Sequence, residues 1–186
     1  MNKYLYIMNF DKILPTRERV KILKSIIFKE REFGVNEIAR EVKLSKSLIS
    51  KYFEILTKEK ILGKKKRKYY TQKNISVKSL KIMFNLTRIN PEIFRKYKFV
   101  KAAGIYGSCA KGTNTESSDV DIWIKVDNLN QKLIPKLTSE LRKKVENIKI
   151  LLLDDKKLEI LKKEDPLFYY SLYFGSILIY GKENEI

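Results

Sequence analysis

Apolar residues first recur at regular intervals behind Pro15 and the polar run Thr16-Arg17-Glu18-Arg19, where Val20, Leu23, Ile26 and Ile27 follow one another at mainly three-residue spacing. That period puts them on one face of a helix from about 16 to 29. Beyond Gly34, the positions Val35, Ile38, Ala39 and Val42 predict a shorter second helix with one apolar face, its turn closed by Leu44. Ser45 is a good N-cap for a third helix, in which Leu48, Ile49, Tyr52, Phe53 and Leu56 form the apolar stripe while Lys46, Ser47, Ser50 and Lys51 form the other face. Ile61-Leu62-Gly63 and Tyr69-Tyr70-Thr71 flank the run Lys64-Lys65-Lys66-Arg67-Lys68, the pattern of two short strands around a basic turn. Residues 75–97 read as helical, with Asn90-Pro91 restarting a turn. From Phe99 the period changes, predicting strands over 100–106, 120–126 and 148–153, a helix over about 131–146, and an aromatic helix from Pro166 that leads into a last short strand. The expected class is α+β: a domain of helices and a hairpin over 1–74, a helical connector over 75–98, and a mixed sheet with helices over 99–186.

Composition narrows the partners. The 186 residues carry 40 Lys and Arg against 22 Asp and Glu, a formal charge of +18, so the field of the molecule attracts polyanions. Residues 1–75 hold 20 basic and 8 acidic side chains while residues 76–186 hold 20 and 14, which makes the first part the better candidate for a phosphate backbone. Enrichment in lysine also accompanies life at high temperature, an explanation that asks for no ligand. With no histidine and a single cysteine, Cys109, the chain has neither a Ser-His-Asp triad, nor a His-based zinc site, nor an internal disulfide. The first ten residues lack a leader's apolar core, and no run reaches the roughly 18–20 apolar residues of a membrane span. The expected setting is cytoplasmic, without a membrane partner.

Three helices followed by a basic hairpin, over roughly residues 14–73, resemble the winged helix-turn-helix regulators of archaea and bacteria. The resemblance implies DNA as a partner, with the third helix in the major groove and the wing on the backbone. Lys46, Ser47, Ser50 and Lys51 would then face DNA, and Lys64, Lys65, Lys66, Arg67 and Lys68 would lie on phosphates. A bundle with a solvated basic face, or a winged helix used for protein contacts, fits the same residues.

The chemistry-bearing segment runs from Gly107-Ser108 through ten residues to Asp119-Val120-Asp121. A strand ending at Tyr106 delivers Gly107 and Ser108 to a turn, where glycine permits close backbone approach and a hydroxyl with adjacent amides can hold phosphate oxygens. Alternation along Asp119-Val120-Asp121-Ile122-Trp123-Ile124 points both carboxylates to one face of a strand. Two carboxylates converging with substrate phosphates suit Mg2+.

Gly-Ser, ten residues and Asp-x-Asp together resemble the signature of the polymerase beta nucleotidyltransferase superfamily, and the length resembles its minimal members, over about residues 99–181. The resemblance implies a nucleoside triphosphate substrate, ATP above all, with Gly107, Ser108 and Lys111 on the nucleotide and Asp119 and Asp121 on Mg2+. Lys111 stands where relatives often carry arginine, which keeps the charge and loses the bidentate fork. Active relatives also draw a third carboxylate from a later strand, here Ile148-Lys149-Ile150-Leu151-Leu152-Leu153, which contains no acid. Asp154 is the nearest substitute, ahead of Asp155 and Glu146. Many minimal nucleotidyltransferases are antitoxins that adenylylate a tyrosine on a HEPN-type toxin, so the resemblance implies a protein adenylyltransferase. A DNA-binding regulator with a degenerate nucleotide site and an RNA-modifying transferase are the rival readings. The second Gly-Ser pair, Gly175-Ser176, has no Asp-x-Asp after it and is assigned to packing.

Overall fold

The structure, a computed structural model, describes residues 9–129 and 132–182, so most of the N-terminal decapeptide, positions 130 and 131, where the helix expected over 131–146 would begin, and the last four residues lie outside the described residues. The chain divides into two compact units after Lys81.

In the first unit, α1 (Phe10–Ile13), α2 (Arg17–Ile26), α3 (Val35–Val42) and α4 (Lys46–Lys58) precede an antiparallel hairpin of β1 (Leu62–Lys65) and β2 (Lys68–Thr71). The caps are local chemistry: Thr16 accepts from the Arg19 amide and Ser45 from the Leu48 amide, each at 3.3 Å, which satisfies a first-turn N–H that has no partner within the helix. The α2 helix stops at Ile26, three residues before the expected end, because Thr71 Oγ1 donates to the Ile26 carbonyl at 2.9 Å and the chain tightens into a turn there. Phe53 anchors the core between the rings of Phe33 and Tyr69, 5.7 and 4.8 Å away and edge-on to both. Tyr52, fully buried on the same helix, donates its hydroxyl to the Ile13 carbonyl at 2.7 Å across 39 residues of sequence. Tyr52→Phe should leave that carbonyl buried and unmatched, at a cost of about 1–2 kcal/mol measurable by denaturant unfolding. The hairpin turns at Lys66-Arg67, with Lys66 in the left-handed region at φ 54°, and residues 64–68 are all exposed.

The second unit is built on a four-stranded sheet in the order β5-β4-β3-β6, from β3 (Val100–Ile105), β4 (Val120–Val126), β5 (Ile148–Leu153) and β6 (Ile177–Tyr180). The β4 and β5 strands are parallel; β3 runs antiparallel to both its neighbours. A parallel pair needs a crossover, and α8 (Ile134–Lys144) supplies it. This helix ends two residues before the expected 146, since Val145 turns extended. The strand interiors explain the continuous apolar run Ile122-Trp123-Ile124: the sheet is covered on both faces. On one face Ile122, Ile124, Ile150 and Leu152 pack with Leu137 and Leu141 of α8 and with Phe94 of α6 (Glu92–Arg95), which follows α5 (Ile75–Leu86). On the other, Trp123, Leu151 and Leu153 pack with Leu158 of α9 (Asp155–Glu164) and Leu172 of α10 (Pro166–Gly175). The α9 helix has no counterpart among the expected elements, because its sequence is mostly charged and only Leu158 is buried. Among the described residues no helix is long and apolar enough to cross a membrane.

Candidate active site

The β3 strand ends in a turn that glycine makes possible. Tyr106 is extended and donates its amide to the Asp121 carbonyl at 3.0 Å; Gly107 then takes φ 67° and opens the single-turn helix α7 (Gly107–Lys111), which ends at Gly112 with φ 64°. A Cβ on residue 107 would lie 2.8 Å from Asp121 Oδ2, so the missing side chain is what lets the turn lie against that carboxylate. The ten intervening residues form a fastened bracket. Thr113 donates its amide to the Ser108 carbonyl at 3.0 Å, and the Thr115 amide is taken by Ser118 Oγ at 2.8 Å. Buried Asn85, near the end of α5, donates to the Cys109 carbonyl and to Asn114 Oδ1, both at 2.9 Å, while Asn114 returns a bond at 3.0 Å. The Cys109 thiol, buried beneath the turn, donates to the Asp119 carbonyl at 3.4 Å and is pushed to a high pKa chiefly by burial. It therefore acts as packing and as a tie to the strand, not as a nucleophile.

Asp119 and Asp121 flank the start of β4, both half-buried. The parallel register pairs Asp121 with Lys149 of β5, and Lys149 Nζ lies 2.5 Å from Asp119 Oδ2. Burial raises the Asp121 pKa above the ordinary aspartate value; Lys149 opposes that rise and Asp119 adds to it. Lys149 is held above the ordinary lysine value by its hydrogen bond to Asp119 and by that residue's charge. Tyr106 is raised by burial first and by Asp121 second. Two carboxylates that repel each other, already answered by one ammonium, have the donor chemistry for a cation. Two carboxylates are too few for an all-protein cage and fit a hard divalent cation that takes its remaining oxygen ligands from elsewhere. Ser108 is half-buried in the turn and Lys111 is exposed at the end of α7.

Residues 89–185, just over half of the chain, match the family described as "Polymerase beta, Nucleotidyltransferase". The chain belongs to the polymerase beta nucleotidyltransferase family. No curated protein matches it. Among solved structures, a toxin-antitoxin crystallised with AMP-PNP matches at 14% identity and TM-score 0.37, covering 49% of this chain and 69% of that one. A candidate nucleotidyltransferase from Sulfolobus solfataricus matches at 17% identity and TM-score 0.40, covering 61% and 95%.

Within the nucleotidyltransferase domain, the expected third carboxylate is not where the sequence reading put it. Asp154 follows Leu153, which pairs with Lys125 at the far end of the parallel strands, ~13 Å of strand rise from Lys149. Its side chain caps α9 instead, accepting from the Lys157 amide at 2.9 Å. Asp155 pairs with Lys125 at 2.8 Å, at that same distant end, and Glu146 is exposed. Among the described residues no third acid joins Asp119 and Asp121 in a metal-binding group. Lys149 is the site residue that sequence reasoning passed over. Its signal was present: the second residue of one strand, aligned in parallel with the second residue of its neighbour, shares a face with it. Asn85 had no such signal, because a connector-helix asparagine shows its partners only in three dimensions.

In the first unit, Lys46, Ser47 and Lys51 are exposed on the opening turns of α4 and Ser50 is half-buried. Lys64 lies over the Tyr69 ring at 5.5 Å and Lys65 pairs with Glu32 at 3.7 Å, while Lys66, Arg67 and Lys68 are exposed around the turn.

Proposed function

We propose that this chain transfers a nucleoside monophosphate, AMP from ATP, to a hydroxyl acceptor, and that its first unit is a winged helix that binds DNA. The observation that carries the transferase reading is the Gly107 turn packed against Asp121, with Asp119 two residues away. Asp119 and Asp121 would hold one Mg2+. Bound there with the triphosphate, the metal would neutralise phosphate charge and polarise the α-phosphoryl group. Gly107 and Ser108 offer an amide-rich turn to phosphate oxygens, and Lys111 supplies positive charge at its rim. The acceptor oxygen attacks the α-phosphorus in line, the bond from that phosphorus to the β-bridging oxygen breaks, pyrophosphate leaves, and the hydroxyl proton passes to solvent. By the resemblance to minimal nucleotidyltransferases, the acceptor is a tyrosine of a HEPN-type toxin.

One observation favours a second reading. Lys149 stands where a base-supplying carboxylate would lie, and a lysine held in its charged form cannot take the acceptor's proton. A regulator that binds nucleotide without turning it over meets that description. Incubation with α-labelled ATP and Mg2+, with and without the product of a neighbouring gene, separates the two. Label on a protein acceptor establishes the transferase; nucleotide binding without transfer establishes the regulator.

For the winged helix, Lys46→Ala with Lys51→Ala should weaken duplex DNA binding and reduce the slope of log affinity against log salt by about 2. Anisotropy titrations at several salt concentrations measure it, and an unchanged slope removes the third helix from the interface.

A further inference from the structure

We infer that Lys149 is a resident cation of the site, and that it makes binding of a divalent ion depend on the triphosphate arriving with it. The inference deepens the proposed function and rests on its assignment of Asp119 and Asp121 to the metal. Three observations carry it. The ammonium contacts Asp119 Oδ2 at 2.5 Å, so one of the two metal-binding carboxylates is already compensated. The register sets Lys149 beside Asp121 on the same face, so the second carboxylate feels the same charge. The lysine side chain is 66% exposed, on a flexible four-carbon stem with three donors and no acceptor, free to leave Asp119 for a phosphate oxygen while its backbone stays in the sheet.

The charge balance follows directly. Two carboxylates and one ammonium carry a net charge of about −1, a poor match for a divalent ion that must also displace or repel the ammonium. A triphosphate reverses this. It brings the negative charge the metal lacks and gives the ammonium a partner in exchange for Asp119. Metal and nucleotide then enter as a unit, and the empty site stays closed to free divalent ions by its own lysine.

The test measures Mn2+ binding to the full chain by electron paramagnetic resonance, with Mn2+ alone and with Mn2+ plus ATP. Wild type should take up Mn2+ weakly by itself and tightly with ATP. Lys149→Ala should tighten binding of Mn2+ alone by about tenfold, and Lys149→Glu by about a hundredfold, since the second change also adds a carboxylate. Both variants should narrow the gap between the two conditions. An affinity for Mn2+ alone that Lys149→Ala leaves unchanged overturns the inference, while ATP-assisted uptake by wild type still supports the proposed function. Absence of that uptake in wild type removes the proposed function and overturns the coupling to triphosphate, even where tightening in Lys149→Ala shows that the lysine opposes free metal. Circular dichroism on the same samples confirms that the variants, altered at an exposed position, are folded.

Discussion

Asp119→Ala combined with Asp121→Ala should reduce nucleotidyl transfer by about a thousandfold and abolish Mg2+-dependent nucleotide binding, because no other carboxylate in the described site can replace the pair. Each single substitution should cost nearly as much as the double one, since residues that act as a unit are not additive. The fold should survive. The ion pair between Lys149 and Asp119 is largely exposed, 66% and 41% by side chain, and pairs of that kind contribute less than about 1 kcal/mol. The stability change also has a sign. The Asp121 pKa lies above its ordinary value, so the folded chain holds that proton more tightly than the unfolded one. Stability from this group is therefore greatest at low pH and falls as pH rises from the ordinary aspartate value through the raised one. Above that window Asp121→Asn should be neutral or stabilising while transfer is lost. Thermal unfolding beside a transfer assay checks both, and an equal loss of stability and activity would mean that the carboxylates support the fold instead of the chemistry.

Gly107→Ala should have the second largest effect, for reasons of a different kind. At φ 67° an alanine is held in the left-handed region, which costs about 1 kcal/mol. Its Cβ would also meet Asp121 Oδ2 at 2.8 Å, and the flexible carboxylate end, not the backbone, is what gives way. If Asp121 holds the metal as proposed, displacing that oxygen by even a fraction of an ångström should lower nucleotide affinity or transfer by about a hundredfold. Unlike the aspartate variants, this one should lose stability and function together, by about 1–2 kcal/mol in unfolding. Gly112, also at positive φ but at the closing end of α7, serves as the comparison: Gly112→Ala should show the stability loss with a much smaller effect on nucleotide. Equal functional losses at the two glycines would remove the contact with Asp121 as the explanation.

Much of the molecule is legible in its sequence. The helix behind Thr16, the helix behind Ser45, the basic hairpin and the alternation of strands and helices after Phe99 all rest on local signals: a hydroxyl cap, a three-to-four-residue period, or a short apolar run between turn residues. The Gly-Ser turn and the Asp pair were readable for a related reason. Their chemistry is carried by neighbours on one strand and one turn, so spacing along the chain stands in for distance.

What local signals cannot report is which residues of different elements come to lie together. Linear proximity to the end of β5 made Asp154 look like the missing acid, whereas the parallel register sends it to the opposite end of the sheet and α9 takes its side chain as a cap. The same register brings Lys149, nearly thirty residues from Asp121, against the carboxylate pair. Register is a property of two strands and the crossover that joins them, and a one-residue change would turn Lys149 to the other face. The sequence alone therefore determined most of the elements, though not the charged helix α9, and the shared face of Asp119 and Asp121; only the packing of β4 against β5 decided which third charge lies beside them, and it placed a cation there.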